Sequence, residues 1–364
     1  MKLAILGARG IPAKYGGFET FAEELSARLV RLDVEVTVYC EGTGASSPAS
    51  YRGVKLAYVP SPALGPLTTI FYDLRCLWHA RRSYDAVYML GYGASFFCFI
   101  PRLFGSKVLI NMDGIEWARG KWGGAAKTYF KVMEFLAMKT PNMIIADAEG
   151  IKDHLLRRHK KIPKCAVIPY GAEVIGAAPN PAMLDEWGLR PREYYLVVCR
   201  LEPENNVAEI INGFKSSDTR RPLVIAGNHK ADTPYVKMLA GNAKERVRFI
   251  GAVYDRMKLA ALRFHCAAYF HGHTVGGTNP SLLEALSCGN VVVAHDNAFN
   301  REVAPQAFYF KDAEKDIPAA VKEIESMTAE KRRSLEEGAK DRIRVYYSWD
   351  KAAERYLSLF ASLN

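Results

Sequence analysis

The chain has 364 residues, 49% of them hydrophobic and 24% charged, with a net charge of +10. That is the composition of a soluble globular protein, long enough for two domains that each bury a core. Seven cysteines, an odd number without any C-x-x-C, exclude a disulfide framework or zinc knuckle and fit a reducing cytoplasm.

The opening "MKLAILGARG" has too short an apolar stretch for a signal peptide. Lys2–Leu6 reads as a buried strand, followed by a glycine-rich loop and a helix with apolar residues at Phe18, Phe21, Ala22, Leu25 and Leu29. Val34–Cys40 alternates as the next strand, which makes a β-loop-α-β unit opening a doubly wound sheet. Further strands are expected at Gly53–Val59, Ala86–Leu90, Lys107–Asn111, Asn142–Ala146 and Cys165–Ile168. The uncharged stretch Ala86–Pro101 falls short of the roughly 20 residues a membrane span needs, so it reads as a strand and a helix start.

The pattern restarts after residue 170. Strands are expected at Tyr194–Arg200, Pro222–Gly227, Arg246–Gly251 and Ala267–His273, with helices at Val207–Phe214 and Met257–His265. Between the halves, Gly171–Leu184 carries the small residues and prolines of a connection. Residues 349–363 form an amphipathic helix that must pack on something. The fold class is therefore α/β, with two Rossmann-like doubly wound domains facing a cleft. The first spans residues 1–170, the second 171–345, and 346–364 form a final helix.

The segment "HTVGGTNPSLLEALSCG", His273 to Gly289, is a glycine loop feeding a short helix. Asn279 suits the N-cap, Pro280 the first helical position and Gly289 the C-terminal turn. Val291–His295 follows as a strand. The loop and helix start, Gly276, Gly277, Thr278, Asn279, Pro280 and Ser281, present N–H groups and a positive dipole end to an anion. Arg200 stands at the carboxyl end of a strand, where ligands of open α/β sheets collect. A guanidinium and helix N–H groups can hold a diphosphate without metal. Glu284, about one turn on, could accept ribose hydroxyls. The plainer alternatives are an ion pair of Arg200 with Glu202 or Glu204, and a surface position for Glu284. His271 and His273 form an H-x-H with no third ligand at metal spacing, so no metal is expected.

In the first half, "GARGIPAKYGGFETF" lacks G-x-G-x-x-G, although Glu41 mimics a ribose-binding acid, so NAD is disfavoured. Gly16 and Gly17 instead bring bare backbone to the top of the sheet. "INMDGIEWARGKW" follows a strand, with Asp113 and Glu116 placed for a cleft, Arg119 and Lys121 cationic, and Trp117 and Trp122 flat. A carboxylate there suits an acceptor hydroxyl; the alternative is a solvated loop with two core tryptophans. Neither G-x-x-x-x-G-K-[ST] nor D-x-D occurs, which excludes a P-loop and argues against a metal-held nucleotide sugar. Residues 1–170 hold 23 Lys and Arg against 14 Asp and Glu, the remainder 26 against 25. The first half thus faces something acidic. Arg102, Lys107, Lys127 and Lys131 flank the apolar "FFCFIPRLF" and "KTYF", a pattern suited to an anionic leaflet.

Taken in order, "GARGIPAKYGGFETFAEEL", "NMDGIEW", "RLEPENN" and "HTVGGTNPSLLEALSCG" resemble the retaining glycosyltransferases of family four, with the GT-B fold. They are most similar to the bacterial rhamnosyltransferase-like branch of capsule, lipopolysaccharide and cell-wall polysaccharide assembly. The resemblance covers nearly the whole chain. It implies that the second domain binds a nucleotide sugar and the first an acceptor, and that the final helix crosses back onto the first domain. It also implies that Arg200 contacts the diphosphate, Glu284 the ribose, and that Gly16-Gly17 line the cleft. The chain departs from the family twice: the lysine five residues after the arginine is Asn205, and the glutamate eight residues before Glu284 is Gly276.

The expected activity is metal-independent retaining transfer, of rhamnose from a dTDP-linked donor to a lipid-diphosphate-linked saccharide. Asp113, Arg200 and Glu116 are the expected catalytic residues. Asn205, His273, Gly276–Ser281 and Glu284 complete the donor site. No cofactor or nucleic acid is expected, and the protein is placed in the cytoplasm, peripheral at the inner face of the membrane. A UDP- or GDP-sugar transferase, a nucleotide-sugar epimerase and a non-catalytic sugar-nucleotide binder are the alternatives.

Overall fold

The computed structural model describes residues 1–13, 16–45, 47–120, 122–230, 232–241 and 246–363. The chain divides into two compact units. The first comprises Met1–Ala118, Trp122–Tyr170 and Trp349–Asn364, the second Arg119–Lys121 and Gly171–Ser348. Lys121 itself lies outside the described residues.

In the first unit the elements run β1 (Lys2–Leu6), α1 (Gly17–Arg31), β2 (Glu35–Glu41), β3 (Ser50–Tyr51), β4 (Val54–Val59), α2 (Thr68–Ala80), β5 (Ala86–Leu90) and α3 (Phe99–Leu103). They continue as β6 (Lys107–Met112), α4 (Gly124–Ala137), β7 (Met143–Ala146), α5 (Glu149–Arg158) and β8 (Lys164–Val167). The sheet order is β3-β4-β2-β1-β5-β6-β7-β8, and every pairing but β3 with β4 is parallel. Strands such as Ala86–Leu90 are buried throughout, as expected of parallel strands covered by helices on both faces.

The second unit runs β9 (Tyr195–Val198), α6 (Val207–Lys215), β10 (Leu223–Ala226), α7 (Pro234–Gly241), β11 (Val247–Gly251), α8 (Arg256–His265) and β12 (Ala268–His271). It continues as α9 (Pro280–Ser287), β13 (Val292–His295), α10 (Ala298–Val303), β14 (Phe308–Phe310), α11 (Ala313–Ser326) and α12 (Ala329–Tyr346). Its sheet is all parallel, in the order β11-β10-β9-β12-β13-β14. Tyr195, Phe214 and Phe270 meet edge to face in its core, with centroids 5.4 to 6.1 Å apart. The segment expected as a plain connection contains a 3-10 helix at Pro181–Trp187, started by the Asn180 side chain, which accepts from Ala182 N.

The last helix, α13 (Trp349–Ala361), belongs to the first unit. Its buried stripe of Trp349, Ala352, Ala353, Tyr356 and Phe360 packs beside α1. The Tyr356 and Tyr88 hydroxyls lie 2.7 Å apart, and Arg28 Nε donates to Asp350 Oδ1 at 2.8 Å. The helix is thus tied to β5 by a buried hydroxyl pair and to α1 by an ion pair with an exposed carboxylate, as well as by apolar area.

Candidate functional site

In the second sheet β9 and β12 are neighbours, while β10 and β11 extend to one side and β13 and β14 to the other. This is a topological switch point, where loops leave the carboxyl ends in opposite directions and open a crevice for ligand. Arg200 follows β9 and is half exposed. His271, Gly272 and His273 end β12, and the glycine loop leads from them into α9.

The two loops are bolted together. Asn206 Nδ2 donates to the Gly272 carbonyl at 2.9 Å, and Thr274 donates through both N and Oγ1 to the Glu204 carbonyl at 3.0 and 2.9 Å. Gly272 is required at this join: a Cβ there would stand 2.1 Å from the Asn205 carbonyl oxygen. Asn205 is buried, and its Nδ2 donates to the Arg200 carbonyl at 2.7 Å. Asn205, expected among the donor-binding residues, therefore spends its amide on the shape of the loop that carries Arg200. The guanidinium lies 3.5 Å from Glu202 Oε2, the ion pair anticipated as the plain alternative. At that length and exposure it leaves the cation free to turn toward an anion.

His271 and His273 stack with centroids 4.2 Å apart and planes 6° from parallel. Burial, then the charges of Arg200 and Arg119, hold the His273 imidazole down to about 3; burial and His273 keep His271 well below the usual histidine range. Both rings are neutral near pH 7, and they can donate or accept but carry no charge. Asn297 and Asn300 anchor this segment by donating to the His273 carbonyl at 2.9 and 3.0 Å.

Gly276 has φ +137, a conformation that L side chains rarely adopt. A glutamate cannot stand there without remaking the loop. Asn279 is the N-cap residue of α9 with Pro280 at its start, as expected, although its side chain makes no capping bond. Among the described residues, the N–H groups of Gly276, Gly277 and Ser281 donate to no backbone carbonyl, which leaves donors at the positive end of the helix. Glu284, on the same helix, is 46% exposed and its Oε2 takes Arg263 at 2.6 Å. It is therefore more than the surface acid of the plain reading.

The remaining expected residues lie in the first unit. Gly16 is the N-cap of α1 and Gly17 its first residue, beyond the carboxyl end of β1. Asp113 follows β6 and is half-buried; after burial, its charge is the largest influence raising the Tyr170 phenol. Glu116 Oε2 accepts from Trp122 Nε1 at 3.0 Å, and its N–H donates to the Tyr92 hydroxyl at 2.8 Å. These bonds hold Glu116 in the loop after β6. Trp117 is likewise held, its Nε1 donating to Glu134 Oε2 at 2.7 Å. Burial acts to raise the Glu134 carboxyl, but bonds from His154, Trp117, His159 and Arg158 hold it down to about 2. The aromatics of "KTYF" turn inward: the Tyr129 hydroxyl donates to the Gly93 carbonyl and Phe130 packs on Tyr92 and Trp122. Glu41, the apparent ribose acid, pairs with Arg9.

Arg263, Glu134 and Asp73 escape a sequence reading. Burial raises the Asp73 carboxyl to about 7 against the lowering effect of Arg9. None of the three lies in a motif, and each finds its partners on other elements of the fold.

These two Rossmann-like units define an α/β protein of the GT-B class. The chain aligns over its whole length with the sucrose-phosphate synthase of Thermosynechococcus elongatus, at a TM-score of 0.80 and 16% identity, covering 98% of that chain. Anabaena HepE, solved with UDP and glucose, is matched at a TM-score of 0.78 and 16% identity over 100% of both chains. Residues 185–342 match the model described as glycosyl transferases group 1, and residues 1–173 match a domain of unknown function, DUF1972. A phosphatidyl-myo-inositol mannosyltransferase of Mycolicibacterium smegmatis is 30% identical over 144 residues, 38% of this chain and 36% of that protein. An uncharacterized glycosyltransferase of Methanocaldococcus jannaschii is 25% identical over 248 residues, 65% of this chain. The matched stretches span about a third and 62% of the lengths of these two relatives.

Proposed function

We propose that the chain is a metal-independent, retaining glycosyltransferase that moves a sugar from a nucleoside diphosphate to a lipid-diphosphate-linked saccharide. The observation that carries this reading is the loop of Arg200 hydrogen-bonded to the segment that leads into the glycine loop and α9, at the switch point of the second sheet. As the donor's glycosidic bond breaks, negative charge grows on the leaving diphosphate. The guanidinium turns from Glu202 to that charge, and fixed N–H dipoles stabilise it without reorganising. Glu284 takes the ribose, and the departing phosphate oxygen helps to take the acceptor proton on the face where attack occurs. Asp113 orients the acceptor hydroxyl.

The donor of this proposal is dTDP-rhamnose, on the strength of the four-motif resemblance. A UDP- or GDP-sugar is the second reading, favoured by the 30% identity over 144 residues to a mannosyltransferase. Labelled dTDP-rhamnose, UDP-glucose and GDP-mannose, each with and without polyprenyl-diphosphate saccharide, decide between them. Transfer that requires acceptor supports the proposal; an altered sugar nucleotide formed without acceptor indicates an epimerase; neither product indicates a binding protein.

Delivery to such an acceptor calls for the inner membrane face. No helix among the described residues is long and apolar enough to cross a membrane. The first unit does expose Trp78, Phe96, Phe99 and Phe104, and Leu103 at 74%. Arg81 stands 4.2 Å from the Trp78 ring and Arg82 4.7 Å from Phe104, so cations and apolar side chains are interleaved. Vesicle flotation should require acidic lipid and weaken in high salt; equal flotation on neutral vesicles refutes the peripheral reading.

A further inference from the structure

Arg263 is a charged residue in the packed interior of the second unit, 5% exposed, at the end of α8. Its backbone is fixed, since its carbonyl accepts from Asn290 Nδ2 at 2.6 Å and from Cys266 N at 3.3 Å. Burial acts against the guanidinium charge, yet the adjacent Glu284 raises its pKa above the ordinary arginine value. Nε is buried without a hydrogen-bond partner, and the guanidinium meets Glu284 through a single nitrogen, with the Tyr269 hydroxyl as its other side-chain neighbour. A buried cation held this way is a poor device for stability, because an apolar side chain of similar size would avoid its desolvation. What the pair does achieve is to fix Glu284. Oε2 is drawn 2.6 Å from Arg263, while the side chain keeps 46% of its surface open.

We infer that Arg263 is a positioning residue that presents Glu284 to the donor through one oxygen, Oε1, and so makes the site a reader of a single furanose hydroxyl. An unpaired carboxylate grips the two vicinal hydroxyls of a ribose with one oxygen each. Here the inner oxygen is already hydrogen-bonded and its charge is partly neutralised by the guanidinium. A 2′-deoxyribose nucleotide, which offers one hydroxyl, then loses little against a ribonucleotide. This inference rests on the reading of Glu284 as the acid that holds the ribose, and it explains how a dTDP donor is accepted.

The test is calorimetric titration of the full chain with UDP, 2′-deoxy-UDP and 3′-deoxy-UDP. 2′-Deoxy-UDP should bind within about threefold of UDP and 3′-deoxy-UDP about tenfold or more weaker, the size of one charge-assisted bond, and the reverse order overturns the inference. Losses of about tenfold with each analogue separately mean a two-oxygen grip and overturn the inference. Arg263→Met releases the inner oxygen, so the second hydroxyl should then become worth about tenfold, provided the melting temperature shows a folded protein. An unchanged hydroxyl preference in that folded variant also overturns it. Arg263→Lys, which keeps the charge, should keep the single-hydroxyl pattern. If Glu284→Ala leaves UDP affinity unchanged, Glu284 does not hold the ribose, and the parent reading fails together with the inference.

Discussion

The stacked histidines make acidification a sharp test of the site's architecture. His273 titrates near 3 in the folded chain, because burial and then Arg200 and Arg119 disfavour its proton; an unfolded histidine titrates near 6.5. Between those values the unfolded chain binds a proton that the folded one refuses, so stability is complete above about pH 6.5 and falls as pH drops. Each pH unit in this window is worth about 1.4 kcal/mol, and going from pH 7 to 5 removes about 2 kcal/mol through His273 alone. His271 acts in the same direction. Asp73, raised to about 7 in the first unit, acts oppositely, since its folded carboxyl takes up a proton before the unfolded one does. The quantity to measure is therefore a difference. Urea unfolding of the wild type and of His273→Asn at pH 7 and pH 5 should show the wild type losing about 2 kcal/mol more than the variant. An equal loss in both would mean that His273 is protonated in the folded state. The neutral stack beside Arg200 would then be wrong.

Three further outcomes are expected. Arg200→Ala should weaken nucleoside diphosphates ten- to hundredfold, about 1.5–3 kcal/mol, and leave nucleosides nearly unchanged in titration calorimetry, whereas Glu284→Ala should weaken both. Gly272→Ala places a Cβ 2.1 Å from the Asn205 carbonyl oxygen; the forced shift should lower stability by about 1–3 kcal/mol in urea and weaken diphosphate binding, because the displaced loop carries Arg200. Transfer should persist in excess EDTA, and loss of activity restored by magnesium or manganese would refute the metal-independent reading.

The fold was legible wherever an apolar run was long enough to be buried on both faces. Lys2–Leu6 and Ala86–Leu90 begin and end where the residues say they should. Ser50–Tyr51 and Phe308–Phe310 were not legible, because two or three residues carry no periodicity and only a neighbouring strand makes them extended. In the site, the glycine loop, its helix and Arg200 were readable because backbone conformation and sheet topology place them. The partners of Glu284 and Glu116 were not. Arg263 reaches Glu284 from another helix, and Trp122 reaches Glu116 across a turn, and neither spacing is a signal in one dimension.

The two departures from the family pattern can be understood together. Replacing a lysine by Asn205 and a glutamate by Gly276 removes one positive and one negative charge, so the net charge near the diphosphate is unchanged. Each replacement also has a structural use. Asn205 is buried and ties the Arg200 carbonyl to its own loop, which a lysine could do only by burying an ammonium. Gly276 permits the φ of +137 that turns the chain toward α9. A Lys–Glu pair would supply long-range charge on flexible side chains. A rigid loop bolted through Gly272, Asn206 and Thr274 supplies instead backbone dipoles that are already in place. Preorganised donors act on charge where it develops, so on the proposed mechanism this exchange of side-chain charge for backbone order favours the leaving diphosphate over the intact donor. On the proposed mechanism the rigidity of the join between the two loops, which Gly272→Ala disturbs, matters to transfer as well as the cations nearby.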